Sequence, residues 1–255
     1  MKFGIVIPLK SKKISRDWAV TSAALEGTIR SIQNQTDQNF VVSVAGHDCP
    51  EFFKNMLNER FRFTKVDYDA PDRNAPNFKT QELINDKVLK IMTGLIAIKD
   101  EPLSWIYQLD SDDLIRNDFI EQINIVPPTD AIIVEGGYIY YQSAQRIIET
   151  NEMDQLCGSV VVVKPSTFSF PPSADLQYIH DLPWTKYRHM NIYKFFENNN
   201  QSYTRSSENL VTYLLATGDN FSDRWRTGLV SQIKAVMKPY LFGKKYLILL
   251  NLNFH

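Results

Sequence analysis

Three carboxylates within four residues, Asp110, Asp112 and Asp113, close the apolar run Trp105-Ile106-Tyr107-Gln108-Leu109. Such a run reads as a buried strand. If the extended backbone persists past it, Asp110 and Asp112 point the same way, because side chains alternate with period two. Two hard oxygen ligands on one face suit Mg²⁺ or Mn²⁺. The carboxyl edge of strands is also where open α/β sheets place their ligands. The competing reading is an acidic turn that caps a helix starting near Leu114, since Asp favours helix N-termini. Other candidates are weaker. Lys87 and Lys90 suit either the charge of a diphosphate or a solvated helix face. The second half of the chain offers Asp175, Asp181 and Asp219 as proton acceptors. Cys157 has no His/Asn pattern to support a nucleophile.

The elements that would position these residues follow from periodicity. Phe3–Pro8 reads as a short strand ended by proline. Trp18, Leu25, Ile29 and Ile32 fall on one face of a helix. Asn39–Val44 and Phe61–Tyr68 read as strands, and 69–79, with two prolines, as loop. Leu83, Lys87, Ile91, Leu95 and Ile98 predict one helix over Thr80–Lys99. Trp105–Leu109 is the strand before the carboxylates, and Leu114–Ile125 a helix after them. This alternation predicts βαβ units and a mostly parallel sheet. Beyond it the pattern loosens: Ala131–Tyr141 reads as a long strand or hairpin arm, Ser159–Val163 as a strand, Pro171–Pro183 as loop, Trp184–Asn198 as helix and Leu210–Ala216 as a strand.

Order along the chain then carries a family resemblance. Ile5-Val6-Ile7-Pro8, Ser31-Ile32-Gln33-Asn34-Gln35-Thr36, Asn39-Phe40 followed by a strand, and Asp110-Ser111-Asp112-Asp113 resemble the successive landmarks of a GT-A glycosyltransferase, glycosyltransferase family 2 in particular. An Asp-x-Asp also opens haloacid-dehalogenase-type phosphatases, but there it follows the first strand and is succeeded by Thr or Val where Leu114 stands here. The resemblance implies an α/β fold with a mostly parallel central sheet flanked by helices and an irregular acceptor-side second half. It divides the chain into a transferase domain at 1–223, with a nucleotide-sugar-binding half at 1–125 and an acceptor half at 126–223, and a basic amphipathic segment at 224–255.

For the site, the resemblance implies a nucleotide-sugar donor, a UDP-sugar, contacted by Pro8, His47, Asp48, Lys87, Lys90, Asp110 and Ser111. Asp110 and Asp112 would hold Mn²⁺ or Mg²⁺. Asp181, in His180-Asp181, stands where relatives carry Glu-Asp and would be the general base of an inverting transfer to a carbohydrate or lipid-linked acceptor. Two departures matter. The family's Asp-Asp-Gly-Ser after the second strand is replaced by Ala45-Gly46-His47-Asp48-Cys49, which leaves the base contact to either His47 or Asp48. The Arg-Asn that usually precedes the Asp-x-Asp is absent. A nucleotidyltransferase shares the architecture but normally has a glycine-rich basic loop after the first strand, and Pro8–Arg16 has no glycine. A non-catalytic carbohydrate-binding protein is the reading from another class, against which the intact acidic cluster speaks.

Composition excludes further classes. The 255 residues carry 28 Lys and Arg against 29 Asp and Glu. That near-balance lacks the basic excess of a nucleic-acid-binding domain. Cys49 and Cys157, the 2 cysteines, are too few and too far apart for a disulfide framework or a zinc site. The opening residues predict no leader peptide, and no apolar run reaches the ~18 residues of a membrane span. The expected location is cytoplasmic. Residues 224–255 carry Arg224, Arg226, Lys234, Lys238, Lys244 and Lys245 with no acidic residue, and Leu229, Ile233, Val236 and Met237 share one helical face. The segment reads equally as a peripheral contact with an anionic membrane or as a helix packed on the domain. Gly218–Ser222 resembles a late segment that returns to the active site in related enzymes.

Overall fold

A computed structural model of the chain describes residues 1–215 and 238–245. In chain order the elements begin β1 (Lys2–Pro8), α1 (Trp18–Gln33), β2 (Phe40–Gly46), α2 (Glu51–Lys54), β3 (Phe61–Lys65), α3 (Thr80–Ile98) and β4 (Leu103–Gln108). They continue with β5 (Asp113–Ile115), α4 (Phe119–Asn124), β6 (Ala131–Val134), β7 (Gly137–Tyr141), β8 (Arg146–Thr150), α5 (Met153–Leu156) and β9 (Val161–Val163). Last come α6 (Pro183–Lys186), α7 (Tyr193–Asn198), β10 (Tyr203–Ser206), β11 (Val211–Leu215) and β12 (Lys244–Lys245).

Seven strands form the main sheet in the order β10-β6-β9-β4-β1-β2-β3. β1 pairs parallel with both β2 and β4, β2 with β3, and β10 with β6, while β9 runs antiparallel between β4 and β6. The fold class expected from the sequence, α/β with a mostly parallel central sheet flanked by helices, is the one observed. β1 and β2 are apolar almost throughout because both faces of a parallel sheet are covered. α3 lies against them so closely that a Cβ on Gly94 would come within 2.5 Å of Val6 Cγ1. α1 begins at Asp17, whose carboxylate accepts the Ala19 amide at 2.8 Å and the Val20 amide at 3.3 Å. Its buried face holds Leu25, Ile29 and Ile32. α3 begins where Glu82 accepts the Lys79 amide at 3.0 Å.

A second, five-stranded sheet has the order β12-β8-β7-β11-β5. It accounts for the departures from the expected elements. The segment after the carboxylates starts as β5, paired antiparallel with β11, and turns helical only at Phe119. Ala131–Tyr141 divides between the sheets at Gly136, where a Cβ would lie 2.1 Å from the Ser207 carbonyl oxygen. Trp184–Asn198 is two short helices separated by a 3-10 turn at His189–Asn191. The described part of the C-terminal segment is a helical turn at 238–242 followed by β12 on β8. Among the described residues no helix is long and apolar enough to cross a membrane. Asp219, Gly218–Ser222 and most of 224–255 lie outside the described residues.

Candidate active site

β4 delivers the acidic cluster to the carboxyl edge of the main sheet. The strand ends at Gln108, and the Asp113 amide donates to the Asp110 carbonyl at 3.2 Å to close a turn. Asp110 and Asp112 therefore share the site by way of this turn, and the period-two extension expected from the sequence stops before them. Both line a cleft of about 730 Å³, together with Pro8, Lys87, Lys90 and Ser111. Asp113 instead enters β5 and is buried, neither a cleft residue nor a helix cap.

The neighbours of the cluster hold it rigidly. Lys87 Nζ lies 2.6 Å from Asp110 Oδ1, and Gln108 Nε2 donates to the same oxygen at 2.7 Å. Ser159 joins the two ends of the turn: its hydroxyl donates to Asp113 Oδ2 at 2.6 Å and accepts the Asp110 amide at 2.8 Å. The Tyr107 hydroxyl fixes Ser159 by donating to its carbonyl at 2.7 Å. Gly158 makes room, since a Cβ there would lie 3.1 Å from Asp110 Oδ2 and 3.4 Å from Lys87 Nζ.

Charge is distributed unevenly over these groups. Burial works against ionisation of Asp110, but Lys87, Gln108 and His189 outweigh it and hold its pKa below the usual carboxylate value. Burial and the Asp110 charge push Asp112 up to about 6, and burial with both neighbouring carboxylates pushes Asp113 well above its usual value. Lys87 is raised: burial lowers it, and the carboxylates of Asp110, Asp112 and Asp113 more than compensate. Lys87, with Lys10 acting on Asp112, thus meets three acidic groups, of which burial and mutual repulsion keep Asp112 and Asp113 above their ordinary values.

A divalent cation fits this donor set. The ligands are hard oxygens, and the charge of Asp110 works against ionisation of Asp112 beside it, a repulsion that a bound cation would relieve. Among the described residues no group of three or more His, Cys, Asp or Glu forms a full cage. Two carboxylates completed by phosphate oxygens and water are the usual surroundings of Mg²⁺.

In the wall of the cleft lies a second polar group, a buried ion pair that the sequence did not announce. Lys90 Nζ pairs with Asp86 Oδ2 at 2.6 Å, and both side chains are almost fully buried. Lys90 is thus not a solvated helix residue. Burial lowers its pKa although Asp86 raises it. His47 stands beside the pair, its Nδ1 3.9 Å from Asp86 Oδ1 and its Nε2 3.0 Å from the Tyr68 carbonyl. Burial and the Lys90 charge lower its pKa. Asp48 accepts the Lys12 amide at 2.8 Å. Neither His47 nor Asp48 lines the cleft.

On the far side, His180 lines the cleft and Asp181 does not; Asp181 is exposed, and α6 starts at Leu182 without a side-chain cap. Asp175 is engaged locally, accepting the Gln177 amide at 2.9 Å. Cys157 is buried against the cluster, and burial pushes its thiol well above the ordinary value, which makes it a poor nucleophile. Sequence reasoning missed Asp86, Gln108, the bridging role of Ser159, and the cleft residues Lys186, Arg188 and His189. Only Asp86 carried a signal, its spacing of four residues from Lys90 on one helix.

No family model matches the chain. No curated protein matches it. Among solved structures, S. aureus TarS 1-349 in complex with UDP-GlcNAc is 12% identical, with a TM-score of 0.49 over 87% of this chain and 61% of that one. The same fragment in complex with UDP is 12% identical, with a TM-score of 0.48 over 85% and 61%. S. aureus TarS itself is 14% identical, with a TM-score of 0.44 over 92% and 40%. This chain spans about three fifths of the length of the TarS 1-349 structures. At this level of likeness, any function for the cleft has to rest on the chemistry of its own residues.

Proposed function

We propose that the chain is a GT-A-type glycosyltransferase, resembling family 2, that moves a sugar from a nucleoside diphosphate donor, a UDP-sugar, to a carbohydrate or lipid-linked acceptor with inversion. The observation that carries this reading is the cleft floor, where a turn at the carboxyl end of β4 presents Asp110, Ser111 and Asp112 beside Lys87. In this reading Asp110 and Asp112 hold Mn²⁺ or Mg²⁺, which when bound supplies the positive charge that a departing nucleoside diphosphate requires. Lys87 carries a permanent charge at the same place and is available to the phosphates as well as to Asp110. Gln108 and Ser159 keep Asp110 from turning. Pro8 and Lys90 belong to the wall on the β1 side, where the donor would lie, with His47 and Asp48 as the layer behind it.

Calorimetry with UDP tests the donor assignment. Binding should depend on Mn²⁺ or Mg²⁺ and be lost in Asp112→Asn; absence of UDP binding with and without metal overturns the reading.

The acceptor hydroxyl must lose its proton as the new bond forms, to a group within hydrogen-bonding reach. Asp181 is proposed for this role from its place in His180-Asp181 at the rim of the cleft. Asp181→Asn should keep UDP affinity and stability while transfer falls by roughly 10²–10⁴. Transfer surviving within a few-fold would move the role elsewhere, to His180 first, since it lines the cleft.

A further inference from the structure

The wall of the cleft opposite β1 is basic without counter-charge. It is built by the segment from His180 to Ile192, which is fastened to the β9 side of the sheet. Trp184 Nε1 donates to the Val161 carbonyl at 3.1 Å, and His189 Nδ1 lies 2.6 Å from the Asp154 carbonyl. Leu182, Pro183 and Ile192 are buried beneath it. This anchored segment turns His180, Lys186, Arg188 and His189 toward the cleft. No acidic side chain from the same segment lines it.

Elsewhere Arg30 pairs with Glu26, Arg62 with Glu101, Arg116 with Asp118 and Arg205 with Glu135. Among the described residues neither Arg188 nor Lys186 makes an ion pair. Lys186 instead stacks over the rings of Tyr187 and Phe195, at 5.8 and 5.9 Å from their centroids, which holds its ammonium in place at little entropic cost. These charges line the same cleft as Asp110, Pro8 and Lys90. Two unpaired cations with two imidazole donors on a rigid wall focus potential into a cleft and draw anions to it. A guanidinium there suits the planar fork of a carboxylate or the oxygens of a phosphate.

We propose that this wall binds the acceptor through its negative charge, so that the acceptor is an anionic glycan bearing phosphate or carboxylate groups near the reactive hydroxyl. The proposal rests on the glycosyltransferase reading and refines its acceptor. Neutral saccharides would leave Arg188 and Lys186 facing the cleft unpaired, and would bind less well.

UDP binding is measured first and alone, so that failure of the donor assignment registers there. The protein, with and without excess UDP and Mn²⁺, is then applied at low salt to an array of neutral, uronic-acid-containing and phosphorylated oligosaccharides. Preferential capture by one or both anionic classes, weakened by salt, is expected, and the class that prevails identifies carboxylate or phosphate as the recognised group. Arg188→Gln and the double variant Lys186→Gln/Arg188→Gln should lower that capture about tenfold or more with UDP affinity intact, which also shows the variants to be folded. Equal capture of neutral glycans, no capture of any glycan, or anionic capture unaffected by the substitutions overturns the proposal. A loss of UDP affinity in the variants also overturns it, because the wall then serves the donor diphosphate.

Discussion

Asp112 is the residue at which stability and function pull apart. Its pKa rises from 3.8 to about 6 through burial and the adjacent Asp110 charge. A carboxyl that holds its proton more tightly folded than unfolded makes stability fall as pH rises between those two values. The penalty is absent below pH 4 and complete above about 6. With divalent ions removed by chelator, the melting temperature should therefore decline from pH 4 to pH 7. Asp112→Asn should lessen that decline, leaving the share that Asp113 contributes, and stabilise the chelated protein at pH 7 by about 3 kcal/mol. The same variant should lose metal-dependent UDP binding, since an amide is a poorer ligand and carries no charge. A flat melting profile in the parent protein would show that Asp112 and Asp113 ionise freely, and the crowding of negative charge in the cleft would be wrong. Trading stability for a charged site is common where a group has work to do.

At the scale of elements, α3 presents one face to the sheet and two lysines to the site, and the two lysines differ in kind. Lys87 is 44% exposed and meets Asp110, while Lys90 is 1% exposed and meets Asp86 on its own helix. Removing one partner of a buried ion pair strands a charge and costs about 3–5 kcal/mol, whereas replacing both by apolar groups is often neutral. Urea unfolding of Asp86→Ala should show a loss of that order, largely recovered in Asp86→Leu/Lys90→Met. A single-variant loss below about 1 kcal/mol would mean that the pair is solvated. Helical spacing already placed both lysines on α3, and the apolar runs already placed β1, β2 and β4. What periodicity could not show was which partner each lysine finds, because Lys87 meets Asp110 only through the packing of α3 against the edge of β4. The same limit explains the second half. Asp113–Ile115 is too short to register as a strand until β11 arrives beside it, and the break at Gly136 follows from the close approach of Ser207 rather than from any local pattern. The basic wall was invisible for a related reason: His180, Lys186, Arg188 and His189 converge only because Trp184 and His189 are tied to the chain near β9 and α5.

Across the whole molecule a net charge of −1 conceals a strong separation of charge. Residues 224–255 carry six lysines and arginines and no Asp or Glu. Their described part is fastened to the second sheet by Arg146, which lies 5.4 Å over the Tyr240 ring and donates to the Gly243 carbonyl at 2.7 Å. There Tyr240, Leu241 and Phe242 are 58%, 64% and 71% exposed, beside Lys238 and Lys244. Apolar side chains bordered by lysine are the composition that enters the headgroup region of an anionic bilayer, with each basic residue adding about 1 kcal/mol near the surface. If the acceptor is lipid-linked, such a contact would bring the cleft to it. Flotation with phosphatidylserine-containing vesicles should therefore recover the protein, and flotation with phosphatidylcholine alone should not. Salt should release it, as surface electrostatics are screened within about 8 Å at physiological ionic strength. Leu241→Glu/Phe242→Glu should weaken recovery while UDP affinity in solution stays unchanged, since neither side chain lines the cleft. Equal recovery with both vesicle types, or none with either, would assign the basic segment to packing on the domain with its charges in water.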